Sequence, residues 1–283
     1  MTSLLIIAHE EHDKLALHLP TLLSQQGTEF EVVVVDMNSE DETLDLLKSM
    51  EKRYPNLHHL SLPITARDIS RERLALHLGM RAAIYENVLI LNANMEIPDP
   101  HWLADIEGRW RPDCKILLIP TNRARSKNLR DYLTAGHEVW RNGLYRKQAR
   151  TNRLFRAGAS AVGLSRDVFL TCNSPAKHLA LKTGTLDIFV SRIANKYSTI
   201  LLEDRNLFPM EDIIDDSRKW RQKRLFDVET RRHLGRRFMR HFTYMVYCLA
   251  TIHKGAIPYC MMDICDYFRW LFTRKKTFIK RHY

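Results

Sequence analysis

Short apolar runs alternate with stretches of helical period along the first 200 residues. Leu4 to Ala8 is an unbroken apolar run of strand length, and Leu15, Leu19, Leu22 and Leu23 follow at the spacing of one helix face. Gly27 ends that helix. Phe30 to Val35 is β-branched and nearly all apolar, which suits a parallel strand covered on both sides. Asn38 to Thr43 is turn chemistry opening a helix, with Ser39 or Asp41 as its cap and Leu44, Leu47 and Met50 as its buried stripe. Leu57 to Leu62 reads as the next strand. Ser70 to Ile84 reads as a helix with Leu74, Leu78 and Ala82 on one face. Asn87 to Leu91, Lys115 to Pro120 and Thr199 to Leu202 read as further strands, and Ile188 to Ile193 as helical. The stretch from Asn122 to Arg156 is polar and basic, and reads as a helix plus a loop. Ala157 to Gly163 is small and reads as flexible. This alternation predicts an α/β domain, a mostly parallel sheet with helices on both faces.

After about residue 215 the pattern changes. Phe238, Phe242, Met245, Leu249 and Ile252 fall on one helix face behind a run of arginines. A second stripe, Ile264, Tyr267, Phe268, Leu271 and Phe272, ends among Arg269, Arg274, Lys275, Lys276, Lys280 and Arg281. Apolar aromatic faces edged by Lys and Arg suit helices lying in an anionic membrane surface; the alternative is packing on the core or on a second copy. The expected division is therefore 1–215 as the α/β domain, with 1–120 its nucleotide-binding half and 121–215 its acceptor half, and 216–283 as a basic helical extension.

Composition narrows the partners. The chain has 283 residues, 45% hydrophobic and 27% charged, with a net charge of +11. That is a globular composition with an electrostatic preference for anions. Nucleic acid is not expected, because the C-terminal aromatics lie in amphipathic stripes rather than on a stacking surface. The cysteines, Cys114, Cys172, Cys248, Cys260 and Cys265, are odd in number and scattered, as reduced thiols would be. No stretch has the length of uncharged apolar residues that spans a bilayer, and no basic and apolar leader pattern opens the chain. The expected location is cytoplasmic, peripheral on the inner face of the cell membrane.

The candidate chemistry sits where strands end, since open α/β sheets bind ligands at their carboxyl edge. Asp36 closes a buried strand, where a carboxylate can accept hydrogen bonds from a nucleobase imide or a ribose hydroxyl, or cap a helix. Arg71, in Ser70-Arg71-Glu72-Arg73, has the fork that matches phosphate oxygens, or is a solvated helix start.

Several segments together resemble the family 2 glycosyltransferases of GT-A fold. Val35-Asp36-Met37-Asn38-Ser39-Glu40-Asp41-Glu42-Thr43 is similar to the family turn Val-Asp-Asp-Gly-Ser-Thr-Asp-Gly-Thr. Glu11 stands where the family has Asn-Glu. Asn92-Ala93-Asn94, framed by Leu89-Ile90-Leu91 and by Pro98, Trp102 and Leu103, occupies the place of the Asp-x-Asp signature. Gly158 to Arg166 resembles the loop and strand lining the acceptor pocket. Gly184-Thr185-Leu186-Asp187-Ile188-Phe189-Val190-Ser191 resembles the Gly-Asp-Asp-Asp-Leu-Phe-Val-Asn of bacterial membrane-associated members, and Trp220 to Arg224 resembles the Gln-x-x-Arg-Trp element.

The resemblance implies an inverting transfer of a sugar from a nucleotide-diphosphate donor, UDP-linked, to a hydroxyl of a glycan or lipid-linked acceptor. It implies that Glu11, Asp36, Asn38, Arg71, Asn92, Asn94, Gln222 and Arg224 bind the donor and that Asp187 takes the acceptor proton. A Mg²⁺ or Mn²⁺ ion would be held by Asn94 and Glu96, at a site weakened by the asparagines that replace both acids such hard cations favour. The alternative is a non-catalytic relative that binds a nucleotide-sugar, a glycan or a partner enzyme.

Overall fold

The computed structural model describes residues 1–62, 71–123, 161–172, 186, 189–190, 193–194 and 199–211. It also describes isolated helical positions at 136, 137, 140, 143, 225, 228 and between 258 and 269. The chain divides into two compact units, Met1–Ala124 with Tyr145–Asp212, and Arg125–Leu144 with Ile213–Tyr283. In the second unit the rings of His137, Trp140 and Tyr259 meet at centroid distances of 6.0 to 6.3 Å. The segment 125–144, assigned to the acceptor half on sequence, thus groups with the C-terminal residues. Most of the C-terminal stripe residues lie outside the described set.

The first unit is built on a seven-stranded sheet. In chain order its strands are β1 (Thr2–Ala8), β2 (Phe30–Asp36), β3 (Leu57–Ser61), β4 (Asn87–Leu91), β6 (Ile116–Ile119), β8 (Ala161–Ser165) and β9 (Thr199–Leu201). Their spatial order is β3-β2-β1-β4-β8-β6-β9. All run parallel except β8, which pairs antiparallel with both β4 and β6. Within Ala157 to Gly163, which reads as flexible from composition, residues from Ala161 onward form the buried strand that the family resemblance of Gly158 to Arg166 implied. Its small residues suit a central position under a covering indole rather than mobility. A three-stranded ribbon, β5 (Met95–Glu96), β10 (Met210–Glu211) and β7 (Asn122–Arg123), stands at the carboxyl edge.

Strand alternation divides the core in two. Leu4, Ile6, Val32, Val34, Leu89 and Leu91 face one layer, where α1 (His12–Leu23), α2 (Thr43–Arg53) and α4 (Trp102–Arg109) pack. Leu5, Val33, Val35, Val88 and Ile90 face the other, under α3 (Arg71–Ala82) and α5 (Arg166–Cys172). The α1 stripe is the one its spacing predicts. On α3 the buried face is Ala75, Leu76, Gly79 and Met80, while Leu74 and Leu78 lie half-buried and Ala82 is exposed. The reason is Gly79: without a Cβ it seats the helix directly against Leu5 and Val35. Helix α4 was not legible from period alone. Gln25 holds its start, accepting from the Leu103 amide at 2.9 Å and donating to the Asp99 carbonyl at 3.0 Å.

Glu31 is a buried acid at the opposite end of the sheet. It accepts from the Ser3 hydroxyl at 2.5 Å and from the Ile84 amide at 2.6 Å, pinning the turn before β4. Glu31→Ala strands both donors and is expected to cost about 2 to 3 kcal/mol, read by urea denaturation.

Candidate functional site

The ends of β1 and β2 are stitched into one wall. Asp36, 1% exposed, accepts from the Ser39 amide at 3.2 and 3.3 Å and from the Ser39 hydroxyl at 2.5 Å. The Ser39 hydroxyl oxygen in turn accepts from the Glu10 amide at 2.9 Å. Asp41 accepts from the His12 amide at 3.3 Å and the Thr43 amide at 3.1 Å, and the Glu11 amide donates to the Thr43 hydroxyl oxygen at 3.3 Å. Asp41 thus ties down the start of α2, as one sequence alternative had it, although the residue flanking the helix is Glu42. These bonds hold Glu10 and Asn38 in left-handed conformations, φ 54° and 59°. For Glu10 that conformation costs about 1 kcal/mol, which the surrounding hydrogen bonds offset.

Next to this wall lies a shallow pocket of ≈ 370 Å³ lined by Glu10, Glu11, His12, Asp13, Lys14, Asp41 and Glu42. Five carboxylates face it against one lysine and one histidine. Such a surface repels phosphate and attracts hydrogen-bond donors such as base imides and sugar hydroxyls. Lys14 pairs with Glu11 at 2.6 Å. The hydrogen bond that Asp13 accepts from its ring raises the His12 pKa above the usual 6.5; desolvation opposes it, and the charges of Asp13, Glu42 and Asp41 reinforce it. Burial pushes Asp41 up, but hydrogen bonds from Thr43 and the His12 amide, with the His12 charge, leave it below the usual carboxylate range. Because the folded pKa of His12 is the higher one, its charge stabilises the fold below the unfolded pKa, and that contribution is lost as pH rises through the folded value. Its NMR titration midpoint is expected above 6.5 and should fall in Asp13→Asn; an unchanged midpoint would remove Asp13 as the cause.

The remaining site residues arrive from other elements. Arg71, exposed, begins α3, whose N-terminus lies at the carboxyl edge where the helix dipole favours anions. Its neighbour Arg73 is 8% exposed, on the same buried face as Leu76 and Met80. The i, i+3, i+7 spacing carried that signal. Asn92 is exposed just beyond β4, Asn94 is half-buried on the same turn, and Glu96 is exposed on β5. Asp187, Gln222 and Arg224 lie outside the described residues.

The acid that sequence reasoning missed is Glu211. It is 2% exposed, and accepts from the Asn92 side-chain amide at 3.0 Å and from the Thr121 hydroxyl at 3.3 Å. A two-residue strand such as β10 leaves no periodic signal to find. Among the described residues no group of three or more His, Cys, Asp and Glu is arranged to hold a metal. Asn92 and Asn94 supply neutral carboxamide oxygens at this turn and Glu211 a carboxylate bonded to Asn92, the ligand types that a hard cation takes. Cys114, Cys172 and Cys265 are free thiols, and burial pushes Cys114 up.

The profile of glycosyl transferase family 2 matches residues 3–170. No curated protein sequence matches the chain. Residues 1–349 of S. aureus TarS share the fold at 14% identity and a TM-score of 0.58, over 96% of this chain and 81% of that one. The same TarS fragment with UDP-GlcNAc gives 14% identity and a TM-score of 0.55, over 95% and 81%. Mannosyltransferase PcManGT from Pyrobaculum calidifontis, solved with GDP-Man and Mn²⁺, gives 15% identity and a TM-score of 0.61, over 96% and 86%. At such identities the likeness establishes the GT-A architecture, as the mixed sheet and its edge ribbon do.

Proposed function

This chain belongs to glycosyl transferase family 2, and from that premise we propose that it moves a sugar from a UDP-linked donor to a hydroxyl of a glycan or lipid-linked acceptor in cell-envelope polysaccharide synthesis. The observation that carries the reading is the carboxyl-edge wall of Glu11, Asp36 and Asn38 beside an acidic pocket. Its chemistry suits the donor groups of a nucleoside and not its phosphates. The wall would take the base and ribose. Arg71 would take the diphosphate, and Asn92 and Asn94 would complete the donor site.

The acceptor oxygen would attack the anomeric carbon as the bond to the diphosphate breaks on the opposite side, inverting that centre. Asp187 would take the acceptor proton, and cationic side chains would stabilise the leaving diphosphate. A bound Mg²⁺ or Mn²⁺ would add Lewis-acid neutralisation of that charge. The basic C-terminal stripes favour work on an anionic membrane surface at the inner face of the cell membrane. No described helix is long and apolar enough to cross a membrane.

The replacement of both Asp-x-Asp acids by Asn92 and Asn94 favours a second reading, a relative that binds a nucleotide-sugar without turning it over. Calorimetric titration with UDP is expected to show saturable binding, and failure to bind either UDP or GDP would overturn both readings. Slow UDP-sugar hydrolysis that Asp187→Asn abolishes, with UDP affinity kept, supports catalysis; binding without any turnover leaves the second reading standing.

A further inference from the structure

We propose that the helix between 258 and 269 docks on an anionic membrane through one face, Met261, Cys265 and Phe268, with those side chains in the headgroup layer. The inference rests on the membrane-surface reading above, assigns the residues that make the contact, and is independent of the donor site.

Three observations carry it. Every described position between 258 and 269 is helical. Met261 is 58% exposed, Phe268 is 54% exposed, and Cys265 is exposed between them. Their spacing of i, i+4 and i+7 puts them in one stripe. The opposite side of the helix is already occupied. Tyr259 lies about 160° round the helix from Met261, at about 100° per residue. Its ring meets those of His137 and Trp140 at 6.3 and 6.2 Å. A Cβ at Gly136 would stand 2.8 Å from Tyr259 Cζ, so that glycine makes room for the ring. One face therefore seats the helix in its own unit, and the other turns an apolar stripe to solvent. Finally, six basic residues and no acid follow Asp266.

The stripe is not the one that sequence period gives. Ile264 is half-buried, as is Met262, while Tyr267, Leu271 and Phe272 lie outside the described residues. This helix carries apolar residues on both sides, and the Tyr259 anchor decides which of them face out. A bilayer offers hydrocarbon and anionic headgroups in one surface, which matches an apolar stripe running into a purely basic segment. A second copy of this chain fits worse, because it would set like charge against like.

The test is co-sedimentation of the full chain with vesicles of phosphatidylglycerol and phosphatidylcholine, or of phosphatidylcholine alone. Binding is expected to be at least about tenfold tighter on the anionic vesicles. M261S/F268S should lose about 50-fold or more of that affinity. Its UDP affinity and melting temperature should stay as in the wild type, since both side chains are exposed. K275Q/K276Q should lose about 25-fold, at about fivefold for each lysine. Maleimide labelling, located by mass spectrometry, should slow about tenfold at Cys265 when anionic vesicles are added. Labelling of Cys172, exposed at the end of α5, should not change. Vesicle binding that survives in M261S/F268S overturns this face and leaves the membrane reading standing. So does a Cys265 that labels as fast with vesicles as without. Binding to neither kind of vesicle overturns both. A dimer that protects Cys265 in the absence of lipid gives the face to a second copy and overturns the inference.

Discussion

Asp36→Ala is expected to weaken UDP binding by about 100-fold, because one buried carboxylate organises two loops. Its oxygens hold the Ser39 amide and hydroxyl, and Ser39 holds the Glu10 amide. Removing the carboxylate leaves the Ser39 donors without their acceptor and frees the left-handed turn at Asn38. A charge-assisted hydrogen bond contributes about 1.5 to 3 kcal/mol, whose upper end corresponds to about two decades of affinity. Asp36→Asn keeps an oxygen for the Ser39 amide and should lose only about tenfold. Calorimetry and thermal melting on the same preparations separate binding from folding. An Asp36→Ala protein that folds and binds UDP as tightly as the wild type would remove the wall from the donor site.

Gly163→Val is expected to cost about 3 to 4 kcal/mol. Gly163 lies in the middle of β8, with a strand on each side. A Cβ there would meet the Trp110 ring, with Cζ3 at 2.7 Å, and the Leu117 Cβ at 3.0 Å. The indole cannot yield easily: it is 7% exposed and its Nε1 donates to the Cys114 carbonyl at 3.3 Å. Backbone and a fixed ring must move, where a flexible side-chain end could have turned aside. Gly163→Ala should cost about 2 kcal/mol by the same argument. Gly108→Ala, on α4 with nothing within 4 Å of the added Cβ, is the control and should be neutral or slightly stabilising. Urea denaturation of the three variants gives the order; equal midpoints for Gly163→Val and Gly108→Ala would refute the close-packing account.

The sequence by itself determined the elements that carry their own period. Uninterrupted β-branched runs such as Val32 to Val35 need cover on both faces, and that alone implied a parallel sheet between two helical layers. It also brought Asp36 and Asn92 to strand ends, because a strand that stops being apolar has left the core. What only the tertiary structure decided depends on partners far away in the chain. The face of α3 shifted to Gly79 because a missing Cβ allows a contact that apolar counting does not register. Ala161 to Ser165, in the segment that resembles a loop and strand, took a central antiparallel place between β4 and β6 under Trp110, which no local pattern announces. Glu211 reached Asn92 through a strand of two residues, too short for any periodicity, and Asp36 turned out to serve Ser39 through a carboxylate buried behind the wall. Local period is written in neighbouring residues, while a site assembled at the carboxyl edge of a sheet is written in the crossings between strands.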